Sequence, residues 1–194
     1  MRKINESEAL ARLKRIKDNF RAYIGRHSQN AIDCSTCSMP CCQDSKFVNV
    51  NITRLEATAI LRTLQQSPRI SKQKFYQIIT KAEQTVVRHR LDAVGDTFKQ
   101  TYSCPLFEKG VGCLVHYKAK PAPCIQFGCY EDWQDIPDMT EFHRVQRRVE
   151  RLHEAIGEEP IYQTIPVWLK KLAHKFSKTE PELGQSTSGD IVSL

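Results

Sequence analysis

The chain has 194 residues, 40% of them hydrophobic and 26% charged, which is enough for one domain with a real apolar core. No run approaches the roughly 18 apolar residues of a membrane span. The segment Met1 to Phe20 is dense in Arg, Lys, Glu and Asp and has no apolar h-region or small-residue cleavage site, so a cytoplasmic location is expected, where thiols stay reduced. The formal charge of +7 counts every thiol as neutral. Two four-thiolate sites would lower it to about +3, which weakens any case for nucleic acid made from net charge alone.

Leu10, Leu13, Ile16, Phe20 and Ile24 follow the three-and-four spacing of an amphipathic helix over residues 6 to 24, with Gly25 as its stop. The first cysteines follow as Cys34-x2-Cys37-x3-Cys41-Cys42. Phe47 to Ile52 alternates apolar and polar residues, as a short strand does. Thr53 and Glu56 then make a T-x-x-E capping box for a helix carrying Leu55, Ala59, Ile60 and Leu64, and Pro68 lies past its end. A longer helix is predicted from Ser71 to Leu91 or beyond, with Phe75, Ile78, Ile79, Ala82 and Val86 on one side and Gly95 as its terminator.

The second cysteine group, Cys104, Cys113, Cys124 and Cys129, occupies the next stretch, stiffened by Pro105 and Pro123 as Pro40 stiffens the first. Phe142, Val145, Val149, Leu152 and Ile156 mark a periodic helix from Glu141 to Ile156, stopped by Gly157 and Pro160. A last helix starts at Pro166 with Trp168, Leu169, Leu172 and Phe176 available to pack, and the tail from Ser177 is expected to be disordered. The predicted organisation is an N-terminal amphipathic helix packing on the core in 1–33, a cysteine-cluster unit in 34–129, a helical extension of the same domain in 130–176 and a tail in 177–194. The predicted fold is mostly α, with irregular cysteine-rich metal-binding loops and at most a small β element.

Confinement of all the cysteines to two short regions points to metal ligation. Soft thiolates suit zinc, copper(I) or iron-sulfur chemistry, and eight of them make two four-sulfur sites. A disulfide framework is the alternative that an even cysteine count raises, and the expected reducing compartment disfavours it. A C-x2-C turn lets Cys34 and Cys37 converge on one ion, whereas the adjacent Cys41 and Cys42 diverge and suit neighbouring metals. The second group is too irregularly spaced for a zinc ribbon or a ferredoxin run, so spacing leaves zinc and iron both open. His116 has ligand-like spacing from Cys113, but with eight thiols available the bland role of a loop histidine is preferred.

Taken together, Cys34-x2-Cys37-x3-Cys41-Cys42, Thr53-x2-Glu56, Cys104-Pro105-Leu106, Gly112-Cys113, Tyr117, Pro121-x2-Cys124 and Phe127-Gly128-Cys129 resemble the YkgJ-type CxxCxxxCC cysteine-cluster family. The resemblance covers residues 34 to 129. It implies a zinc- or iron-chelating domain with Cys34, Cys37, Cys41, Cys42, Cys104, Cys113, Cys124 and Cys129 as metal ligands. Lys120 and Ile125 stand where the pattern commonly has arginine, and lysine lacks the bidentate fork for an anion.

The expected function is therefore a cytosolic protein holding zinc or iron, as iron-sulfur centres or otherwise, in two sites that organise a surface for a protein partner. The resemblance also implies two enzyme alternatives, an iron-sulfur oxidoreductase and a flagellin-type protein-lysine N-methylase. No catalytic residue and no G-x-G-x-x-G nucleotide loop is identifiable. A metal-organised nucleic-acid module is the remaining alternative, suggested by the i, i+3, i+4, i+7 stripe of Arg144, Arg147, Arg148 and Arg151. The stripe has no aromatic residues interleaved along it and is read as a solvated face, so no nucleic-acid partner is expected.

Overall fold

Asn5 opens the first helix, its side-chain oxygen accepting the Glu8 amide at 2.8 Å. In the computed structural model, which describes residues 3–28, 50–93, 102–128, 130 and 132–177, this helix is α1, Glu6–His27. It runs through Gly25 rather than stopping there. A single helical glycine costs only about 1 kcal/mol, and Ser28 closes the end by returning both its amide and its hydroxyl to the Ile24 carbonyl. The buried face of α1 is Ala9, Leu13, Ile16, Lys17, Phe20 and Ile24, so a lysine sits inside the apolar stripe.

Strand β1, Asn51–Thr53, pairs antiparallel with β4, Tyr162–Thr164, with Ile52 opposite Gln163. Residues 47 to 49 of the expected strand lie outside the described residues. Thr53 caps α2, Arg54–Gln66, through both halves of the predicted capping box. Ser71 caps α3, Lys72–His89, by accepting the Lys74 amide. This helix ends before the predicted Gly95, because Arg90 takes the left-handed conformation at φ 50° and turns the chain so that Leu91 is buried. The strain of that conformation, about 1–2 kcal/mol for a side chain with a Cβ, is offset by burial of Leu91 and by its amide bond to Val86.

A small hairpin follows, β2 (Phe107–Glu108) against β3 (Gly112–Cys113), and then a single short helix, α4 (Ala122–Gln126). Next come α5, Met139–Ala155, and α6, Ile165–Ser177. Gly157, at φ 76°, ends α5 as predicted, since it lets the Glu158 amide reach back to the His153 carbonyl at 2.9 Å. The molecule is mostly helical with two small antiparallel sheets of two strands each, the fold class expected. Among the described residues no helix is long and apolar enough to cross a membrane.

Two apolar clusters meet at α2. One gathers Ile52, Leu61, Leu64, Phe75, Ile79, Val86, Trp168 and Leu169 from β1, α2, α3 and α6. The other joins α1 to α5 through Leu13, Phe20, Phe142 and Val149, with Leu55 of α2 and Ile125 of α4. Trp168 fastens α6 to β1 by donating its indole N–H to the Ile52 carbonyl at 2.8 Å.

Candidate metal centre

Of the eight predicted ligands, Cys104, Cys113 and Cys124 fall among the described residues; Cys34, Cys37, Cys41, Cys42 and Cys129 lie outside them. Cys104 is buried, Cys113 and Cys124 are half-buried, and none is joined to another by a disulfide. The stretch that carries them, 102 to 128, has only the hairpin and α4 as regular structure. It is held instead by apolar anchors and by side chains reaching in from three helices.

The anchors are Leu106, Val115 and Ala119, each 1% exposed. Cys104 opens a turn, its carbonyl accepting the Phe107 amide at 3.1 Å, and Cys113 lies opposite Phe107 in the hairpin. Lys81 of α3 donates to the Cys104 carbonyl at 3.3 Å, and Lys74 pairs with Glu108 at 2.8 Å. From α1, Arg21 donates to the His116 carbonyl at 3.1 Å and Lys17 to the Ala119 carbonyl at 3.3 Å.

Glu56 makes the decisive connection. One oxygen of its buried carboxylate completes the capping box by accepting the Thr53 amide at 3.3 Å. The other crosses to α4 and accepts the Ala122 amide at 2.9 Å, two residues before Cys124. A carboxylate placed there satisfies a helix-terminal amide that Pro121 leaves without a side-chain cap. One side chain thus fixes the start of α2 and the turn that presents Cys124.

The charges around these sulfurs are unusual for an interior. Lys17 is 2% exposed, and burial pulls its ammonium below the usual lysine range, with Glu56 first and Cys124 also acting to hold it charged. Tyr102 is 4% exposed, and burial, with Cys104 and Cys124 acting electrostatically in the same direction, drives its hydroxyl far above its usual range. Two cysteines twenty positions apart in the chain therefore act on the same phenol. The Tyr102 and Thr164 hydroxyls interact electrostatically, yet neither completes a hydrogen bond among the described residues.

His116 keeps a buried Nδ1 without a hydrogen-bond partner among the described residues and stands edge-on to Tyr117 at 4.7 Å. Lys120 extends its Nζ to 3.9 Å from where a Cβ on Gly128 would lie. Among the described residues no group of three or more His, Cys, Asp or Glu side chains is assembled to hold a metal ion. Cys104 and Cys124 supply soft thiol donors, and Lys17 interacts electrostatically with Cys124, a basic neighbour that suits the net negative charge of a metal-thiolate centre.

Sequence reasoning missed Lys17, Tyr102 and the second role of Glu56. A signal for Lys17 existed, because it falls on the buried stripe one residue after Ile16 and three before Phe20. None existed for the contact between Glu56 and Ala122, which spans 66 positions.

No protein-family model, no curated protein and no solved structure matches this chain.

Proposed function

We propose that this chain is a metal-binding protein of the YkgJ type, holding zinc or iron-sulfur centres through Cys34, Cys37, Cys41, Cys42, Cys104, Cys113, Cys124 and Cys129, in a reducing compartment such as the cytoplasm. The observation that carries this is that three helices spend polar side chains on the otherwise irregular 102–128 loop, which carries Cys104, Cys113 and Cys124. Glu56 on Ala122, Lys17 on Ala119, Arg21 on His116 and Lys81 on Cys104 all restrain the backbone of the stretch in which those cysteines lie. Such preorganisation is what a thiolate centre requires of its surrounding shell. Metal organises a surface for a protein partner.

The test is purification without oxygen, followed by zinc, iron and acid-labile sulfide per chain and a visible absorption spectrum. Stoichiometric metal that is lost on Cys104→Ser and Cys124→Ser agrees with the proposal. A metal-free, fully folded protein with eight titratable thiols would sink it.

A further inference from the structure

Cys113 and His116 close one tight turn, in which the His116 amide donates to the Cys113 carbonyl at 3.1 Å. The first and last residues of such a turn stand close together, which is why two donors separated by two positions can converge on one ion. The backbone on both sides is held. Cys113 lies opposite Phe107 in the hairpin, the Leu114 amide returns to the Leu106 carbonyl at 3.0 Å, and Val115 and Ala119 are buried anchors. Arg21 reaches over from α1 to fix the His116 carbonyl at 3.1 Å.

On this fixed backbone the imidazole itself is incomplete. Its Nδ1 is buried and has no hydrogen-bond partner among the described residues. Tyr117 stands edge-on to the ring, with centroids 4.7 Å apart and planes at 84°, and so limits its rotation. Leaving a buried nitrogen unpaired is unfavourable, and a neutral imidazole held in one orientation is suited to give the lone pair of that nitrogen to a metal ion.

We propose that His116, through Nδ1, and Cys113 bind the same zinc ion, in a centre of three thiolates and one imidazole. This rests on the metal-binding reading above and refines its donor count. A mixed set of three cysteines and one histidine suits a single zinc ion, whereas four-iron clusters take four thiolates, so the imidazole decides between the two metals at this centre. A neutral nitrogen in place of a thiolate also makes the centre one unit less negative. Eight thiols and one imidazole exceed by one the donors that two four-coordinate centres hold, so one thiol stays outside the coordination shells of the loaded protein.

The test loads the reduced full chain, isotope-labelled at its histidine nitrogens, with zinc or with NMR-active cadmium. Cadmium should show scalar coupling to the His116 Nδ1. His116→Ala should abolish that coupling and weaken zinc binding by roughly tenfold or more, the loss that even a residue behind a ligand produces. His116→Cys should restore the affinity by supplying a thiolate. Alkylation of the zinc-loaded native protein should modify one cysteine per chain. Far-UV circular dichroism confirms that each variant is folded. Cadmium held by sulfur alone, unchanged zinc affinity in His116→Ala (the result expected if a bound water satisfies Nδ1), a His116→Cys variant no tighter than His116→Ala, or full protection of every thiol would each overturn the proposal and leave the metal-binding reading standing. A folded chain that takes up neither ion would overturn both.

Discussion

Replacing Glu56 with alanine strips three supports from one buried point. The Ala122 amide loses its acceptor at 2.9 Å, the Thr53 amide loses one at 3.3 Å, and the buried Lys17 loses the anion that does most to keep it charged. A hydrogen bond to a charged group contributes about 1.5–3 kcal/mol, and removing the partner of a buried charge costs about 3–5 kcal/mol. These overlap, and the longer Thr53 bond counts for less, so the expected loss is about 3–4 kcal/mol. With a urea m-value near 2 kcal/mol/M, the unfolding midpoint should fall by about 1.5–2 M.

Glu56→Gln keeps an oxygen for Ala122 but removes the charge, and should cost about 1–2 kcal/mol. Most of that cost should vanish in a Lys17→Met background, where no ammonium is left to compensate. Urea titrations followed at 222 nm, with chelator and reductant throughout, keep the measurement apart from metal binding. If Glu56→Gln costs the same with and without Lys17, to within about 0.5 kcal/mol, the two residues are not coupled. If Glu56→Ala costs less than about 1 kcal/mol, the carboxylate does not clamp α2 to α4.

His153 is fully buried, and burial pulls its imidazole below the usual range despite Glu158 at 3.6 Å, with Arg54 pushing the same way as burial. The unfolded chain therefore takes up a proton near pH 6.5 that the folded chain refuses until its lower pKa. Stability should fall as pH drops from 6.5 towards that point, and His153→Leu should flatten the difference in thermal scans; parallel pH profiles for both proteins would refute the assignment. Chelation under reducing conditions should speed hydrogen exchange first in 102–128 and then in α3, while α1 and α5 keep their protection through their shared cluster. Uniform acceleration along the whole chain would mean that metal sustains the entire core. Truncation after Ser177 should leave metal content and melting temperature unchanged, because the deleted residues offer little apolar surface; lost metal would place a ligand or a contact in the tail.

What the sequence by itself determined was local. The apolar spacing of Leu13, Ile16, Phe20 and Ile24, the Thr53 and Glu56 capping box, and the stop at Gly157 each depend on atoms within a turn or two, and each appears where expected. Local signals misled at Gly25 and at Gly95. A helix runs on through a glycine when packing outweighs a small propensity cost, and it ends early when an aliphatic residue such as Leu91 is better buried than exposed. The partner of Ile52 in β4, the crossing of Glu56 to Ala122, the reach of Lys17 to the Ala119 carbonyl, and the placement of Phe127 against Phe142 of α5 were decided only in three dimensions. Each joins residues distant in sequence, and which of them meet depends on how the helices bury their faces together; no short-range pattern encodes that choice.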